Sequence, residues 1–324
     1  MEKINWGIIG CGDVTELKSG PAFNKVPNSA LVAVMRRDAA KAKDYAQRHG
    51  VPRWYDDADK LINDPEVNAI YIATPPSSHE KYSIAAMNAG KAVYVEKPMA
   101  LNYSEAINMA AMAADKNSKM VMAHYRREQP FFKKIKELIK ENAIGEVRLA
   151  NLLYCKVPFS KEELTIERNA WRVDPSIAGG GIFHDLAPHQ LDLMLYFFGE
   201  VEKVNGIATN QANNYAADDM VAGNILFKNG IAFNGSWCFN TKAEADQCEI
   251  IGSEGKISFK VFNNSTILLT TKTNTTSFEF EPLQHVQQPM IAKTVEYFLG
   301  RSTNPCTAGE GVEVMRLMEA MVKR

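Results

Sequence analysis

The apolar run Ile4 to Ile9 ends in Gly10-Cys11-Gly12-Asp13-Val14-Thr15, and this junction restricts the fold more strongly than any other segment of the chain. A short buried strand that enters two glycines one residue apart, ahead of a helix, opens a doubly wound parallel sheet. The first glycine allows a tight turn, and the second lets the backbone approach a pyrophosphate at the positive end of the helix. Gly10 and Gly12 fill these positions, with Asp13 and Val14 beside them as further candidate cofactor contacts. A lone G-x-G says little, but one that follows the first strand says much more. The third position of the fingerprint is Thr15, a departure, because a side chain stands where helix and strand normally pack closely.

The second strand, Leu31 to Met35, ends in Arg36-Arg37-Asp38. An acidic residue at this strand end serves the ribose 2′-hydroxyl of NAD, whereas a basic one accommodates the 2′-phosphate of NADP. Arg36 comes first, and a guanidinium grips phosphate bidentately and stacks on adenine, so NADP is expected over NAD, with Arg36 and Arg37 as contacts. Asp38 serves the ribose instead if the strand runs longer. Helical spacing follows over Ala39 to His49. Asn68 to Ala73 reads as another buried strand, closed by Thr74-Pro75-Pro76-Ser77-Ser78-His79 at the sheet edge where ligands bind in such folds. Helix Glu80 to Ala89 and strand Ala92 to Val95 then lead to Glu96-Lys97-Pro98.

The chain has 324 residues, 46% hydrophobic and 23% charged, enough for two domains with cores of their own. A formal net charge of −1 gives no electrostatic reason to expect nucleic acid or an anionic membrane as partner. No stretch approaches the roughly 18 apolar residues of a membrane span. Five cysteines, odd in number and without C-x-x-C spacing, argue against a disulfide framework or a structural zinc site, so reduced thiols in a cytoplasm are expected. The run Ile4 to Ile9 is too short for a signal segment.

Downstream, Phe131 to Ala143 has helical spacing with Gly145 as its stop, and Glu146 to Val157 is strand-like. Strand-like runs recur between Val201 and Phe280, among them Val204 to Thr209, Met220 to Phe227, Ile231 to Phe239, Cys248 to Ile251 and Ile257 to Val261. The expected fold class is α/β, an N-terminal Rossmann sheet followed by an α+β domain with an open, largely antiparallel sheet. Helices near 183–198 should cover one face of that sheet, leaving the other to meet a second subunit. Within that helix Asp185 and His189 are four apart and share a face, with Pro188 interrupting the ladder between them. They read as a surface ion pair, a metal-binding pair or a proton-handling pair. No third ligand has metal-site spacing, so no metal is expected. Asp192 and His184 lie at other angles and read as solvent or interface groups, His184 being the better candidate for a ligand contact.

Together the Gly10-x-Gly12 turn, Ala73-Thr74-Pro75-Pro76, Glu96-Lys97-Pro98, and Gly179-Gly180-Gly181 followed by Asp185 and His189 resemble the Gfo/Idh/MocA family of sugar and polyol oxidoreductases. The resemblance covers nearly the whole chain. It implies a nucleotide-binding domain over 1–124, a substrate-binding and oligomerisation domain over 125–308, and a last helix, about 309–323, that packs back on the first domain. It further implies that Lys97 is the active-site lysine, that its bond to Pro98 is often cis, and that Thr74, Pro75 and His79 contact the cofactor. Glu96 would support the turn and touch cofactor ribose. Asn169-Ala170-Trp171-Arg172 resembles a segment lying over the active site, where Trp171 would pack a sugar ring and Arg172 would contact a hydroxyl or carboxylate.

Hydride transfer from an alcohol carbon needs a group for the hydroxyl proton, and histidine suits it at neutral pH. His189 is then the base in oxidation and the acid in reduction, Lys97 stabilises the developing alkoxide, and Asp185 holds substrate or tunes the other two. The expected activity is an NADP-dependent oxidoreductase acting on a sugar, cyclic polyol or related compound, as a homodimer or homotetramer joined through the open sheet face. Two other readings stand beside it: a glycosidase using transient oxidation and elimination, and a non-catalytic dinucleotide-binding regulator.

Overall fold

A computed structural model describes residues 2–323. The chain divides into two compact units, the first taking residues up to Arg126 together with Leu283–Met315, the second Arg127–Pro282 with the residues from Arg316 onward. The helix Gln288–Phe298, assigned from sequence to the substrate domain, therefore belongs with the nucleotide-binding half.

In the first unit, strands β1 (Ile4–Ile9), β2 (Ser29–Met35), β3 (Arg53–Tyr55), β4 (Ala69–Ile72), β5 (Ala92–Val95) and β6 (Met120–Met122) form one sheet in the order β3-β2-β1-β4-β5-β6. Every pairing is parallel. Such sheets are covered on both faces, which explains why β1 and β4 are almost continuously apolar and why Trp6, Ile8, Ile70 and Tyr71 have no exposed surface. Strand order reverses between β1 and β4, the switch point at which doubly wound sheets bind ligands. The segment 283–315 adds helix Gln288–Phe298 and the first half of helix Ala308–Val322. Gly311 is small where it must be, since a Cβ there would lie 2.8 Å from Met99 Sδ.

In the second unit, β7 (Val147–Cys155), β8 (Val201–Thr209), β9 (Met220–Phe227), β10 (Ala232–Cys238), β11 (Ala245–Gly252), β12 (Gly255–Phe259), β13 (Thr266–Thr271) and β14 (Thr275–Glu279) form an eight-stranded sheet, ordered β14-β13-β12-β11-β7-β10-β9-β8. Only β7 and β10 pair in parallel; the other neighbours are antiparallel. Alternation along the strands buries Leu152, Ile225, Trp237, Ile250 and Ile257 on the inner face. Helices Pro130–Lys140 and Ile182–Phe198 cover that face, with Phe183 edge-on to Trp237 at 5.1 Å. The outer face carries Asn151, Leu153, Asn234, Gln247 and Leu268 around a trough of about 660 Å³. No described helix is long and apolar enough to cross a membrane.

Candidate active site

The first unit builds a phosphate turn and a lysine turn at its switch point. Gly10 has φ of 93°, and a Cβ there would lie 2.9 Å from the Thr74 backbone nitrogen, so only glycine lets the β1 turn rest on the β4 turn. Gly12 has ordinary φ, and a Cβ on it would meet only the Gly10 carbonyl, at 3.9 Å. The backbone is thus open at the position where a pyrophosphate must approach, and the turn fits a dinucleotide. Thr15 is tolerated because the helix that holds it, Asp13–Leu17, is short, and its buried hydroxyl donates to the Gly12 carbonyl at 2.8 Å. The demand for a small residue moves to Gly20, where a Cβ would lie 2.2 Å from both the Thr15 carbonyl and the Tyr45 hydroxyl.

At the end of β2, Arg36 donates to the Cys11 carbonyl at 3.3 Å, which holds its guanidinium beside the glycine turn, and Arg37 is exposed. Asp38 is occupied as the cap of helix Ala39–His49, accepting from the Lys41 N–H, and that bond holds its carboxyl below the usual range.

Thr74 accepts a hydrogen bond from Ser78 at 2.8 Å within the β4 turn, and Pro75 precedes the 3₁₀ turn Pro76–Ser78. His79 has no exposed surface, and its ring nitrogens sit 2.7 Å from the Thr74 carbonyl and 2.9 Å from the Pro98 carbonyl. Burial pulls its pKa down against the pull of those carbonyls. The imidazole is a clamp joining the β4 turn to the lysine turn.

The Lys97–Pro98 peptide is cis. Glu96, 5% exposed, is the anchor beneath it: one carboxylate oxygen accepts from the Tyr71 hydroxyl and from the Gln287 side-chain amide, each at 2.5 Å, and the other accepts from the Lys97 N–H at 3.1 Å. The Tyr94 hydroxyl in turn donates to Gln287 at 3.1 Å. Glu96 therefore supports the lysine turn from within, and Gln287 is a supporting residue that sequence reasoning missed.

The second unit carries the remaining candidates on and before helix Ile182–Phe198. Gly179, with φ of 84°, ends helix Pro175–Ala178. Gly180 leaves room for the His184 ring, and Gly181 packs where a Cβ would lie 2.7 Å from that of Ala217. Buried Nδ1 and desolvation hold His184 down to about 4, with the nearby Asp218 charge opposing the shift. Asp185 accepts from Arg172 Nε at 3.1 Å. The Arg172 guanidinium also lies 4.6 Å from the Trp171 ring centre, so one face of that indole is already covered by its own neighbour. His189 is 4% exposed, one helical turn beyond Asp185, with Phe262 edge-on to its ring at 5.9 Å. Asp192, expected as a solvent or interface group, is instead 1% exposed and takes two hydrogen bonds from Arg127, which is itself 4% exposed. That buried pair fixes the helix two positions past Gln190, whose side chain accepts from Trp237 at 2.6 Å.

Residues 4–125 match an oxidoreductase family with an NAD-binding Rossmann fold, and residues 132–258 match the GFO/IDH/MocA C-terminal domain. The chain belongs to the GFO/IDH/MocA family of oxidoreductases. It is 48% identical over 317 residues to Oxidoreductase P35 of Formosa agariphila, covering 98% of both chains. It is 25% identical over 255 residues to a 1,5-anhydro-D-fructose reductase of Ensifer adhaerens, spanning 78% of this chain and 74% of that one. Among solved structures, levoglucosan dehydrogenase in complex with NADH and levoglucosan superposes with a TM-score of 0.85 at 22% identity, over 98% of this chain and 96% of that chain.

Proposed function

We propose that the protein is an NADP-dependent oxidoreductase that interconverts a secondary alcohol and a ketone on a sugar, cyclic polyol or related small molecule. The observation that carries this reading is the buried Glu96 anchor, which ties the Lys97 backbone to the end of β5 beside the open Gly12 turn. A bound nicotinamide supplies a two-electron hydride acceptor. In oxidation His189 takes the hydroxyl proton while the alcohol carbon gives up its hydride, and the Lys97 ammonium stabilises the oxygen as its negative charge grows. Asp185, already paired with Arg172, orients the substrate hydroxyls from the same helix as His189. NADP is favoured because Arg36 stands at the phosphate turn while Asp38 is spent on a helix cap. The small-molecule chemistry in the names of the anhydro-fructose reductase and levoglucosan dehydrogenase relatives supports the substrate class. The outer sheet face, with Leu153 41% and Leu268 40% exposed, suits a homodimer or homotetramer of a cytoplasmic enzyme.

The test is a panel of anhydro-sugars, inositols and dihydrodiols with each cofactor, run on the native protein, Lys97→Ala and His189→Ala. Each substitution should lower kcat/KM by about 10²–10⁴-fold while nucleotide binding persists. Unchanged turnover in both variants refutes the assignment, and turnover without added nucleotide points to the elimination chemistry instead.

A further inference from the structure

Three sulfur-bearing residues that are far apart in sequence stand abreast on the outer face of the second sheet. Cys155 is in register with Cys238 on the parallel pair β7 and β10, and Cys238 is in register with Met220 on the antiparallel pair β10 and β9. Residues opposite one another in register share a face, and all three are partly buried while their strand neighbours Tyr154, Trp237 and Val221 point into the core. Cys155 and Cys238 are free thiols. The row continues into small residues, Ala245 in register with Cys155 and Thr209 in register with Met220.

We propose that Cys155, Cys238 and Met220 form a binding site for a soft monovalent metal ion of the Cu(I) class. Neighbouring strands lie about 4.8 Å apart, and two metal–thiolate bonds of about 2.3 Å each, the length zinc makes, span about 4.6 Å. Side-by-side thiolates at strand spacing therefore bridge one ion without moving the backbone. A disulfide is a poorer fit, since it needs Cβ atoms about 3.8 Å apart, roughly 1 Å closer than the strands hold them. Zinc is also disfavoured, because structural zinc takes four ligands in a tetrahedron and the row offers two thiolates and a thioether, a donor set that selects Cu(I). Binding forms two sulfur–metal bonds and releases the two thiol protons, with no change of oxidation state. Asn240 accepts the Cys238 thiol hydrogen at 3.0 Å while its NH₂ donates to Gln211 at 3.2 Å, so metal binding gives up only one weak hydrogen bond.

The experiment is an anaerobic titration of the reduced, full-length protein with Cu(I) supplied as its bicinchoninate complex, read as loss of chelator colour and as protection of thiols from alkylation relative to the same protein without metal. The expected result is one Cu(I) per chain, with Cys155 and Cys238 protected and Cys11→Ala binding as the native protein does. Losing either thiolate, by Cys155→Ser or Cys238→Ser, should weaken binding beyond the roughly 10–100-fold that removal of an outer-shell partner produces. Met220→Leu, which keeps apolar volume but removes the thioether, should fall within that range at an unchanged unfolding temperature. Cu(I) binding that survives Cys155→Ser or Cys238→Ser overturns the proposal. So does a Cys155–Cys238 disulfide found in place of bound metal.

Discussion

Replacing Gln287 by leucine tests how the lysine turn is held. In the native protein the Gln287 amide donates to the buried Glu96 carboxylate at 2.5 Å and accepts from the Tyr94 hydroxyl at 3.1 Å. A hydrogen bond to a charged group contributes about 1.5–3 kcal/mol, and a buried hydroxyl left without its acceptor costs about 1–3 kcal/mol. Leucine returns part of this through apolar burial, so the net loss should be about 2–4 kcal/mol. That loss lowers the unfolding temperature by about 2–4 °C for each kcal/mol, measurable by circular dichroism. Activity should suffer far less, with kcat/KM falling by less than about tenfold, because the second carboxylate oxygen still holds the Lys97 N–H. Glu96→Ala removes both supports and should lower kcat further at similar KM. A Gln287→Leu protein as stable as the native one, within about 0.5 kcal/mol, would refute the anchoring argument. Abolished kcat at unchanged stability would mean instead that Gln287 touches the chemistry.

Arg36→Ser should weaken NADPH binding by about 10–100-fold, the value of one charged hydrogen bond, and leave NADH binding nearly unchanged in a fluorescence titration. Gly12→Ala should fold normally but bind nucleotide poorly, since its Cβ meets almost no protein atom, whereas Gly10→Ala should be destabilised by its φ of 93° and by contact with the Thr74 turn; unfolding temperatures and nucleotide affinities separate the two. His184 is neutral in the folded protein down to about 4 but titrates near its ordinary value when unfolded, so the unfolded state binds more protons between these limits. Stability should therefore fall as pH drops from about 6.5 toward 4, by at most about 1.4 kcal/mol per pH unit, and His184→Asn should flatten denaturation midpoints across that window.

What was legible in the sequence was whatever a local pattern encodes. The apolar run of β1 meeting Gly10 and Gly12 identified the Rossmann half, because a strand buried on both faces has no polar alternation to hide it. Helix Ala39–His49 was readable from its spacing, and the structure adds Asp38 as its cap and Gly50 in the left-handed conformation as its stop. Helical spacing put Asp185 and His189 on one face, and the family resemblance singled them out. Pairings that bring distant residues together were not legible. Gln287 lies beneath Glu96, and Arg127 neutralises Asp192, yet neither partner leaves any periodic signature. Nor do His79 and Asp38 advertise their partners: hydrogen bonds tie one to the Thr74 and Pro98 carbonyls, and the other caps a helix N-terminus. Strands β13 and β14 fall inside the strand-rich stretch but form no distinct apolar run, being threonine-rich and only half covered.

The Glu96 anchor also carries a consequence for how the chain matures. Its Gln287 partner lies 191 positions downstream, so at about 5–20 residues per second of synthesis the ribosome delivers that partner roughly 10–40 s after Glu96 itself. Until then the carboxylate has no amide to meet, and the helix Gln288–Phe298 that closes its side of the unit does not exist. The lysine turn, encoded in the first third of the message, is among the last parts of its own half to be finished, and a nascent chain halted before residue 287 cannot complete it.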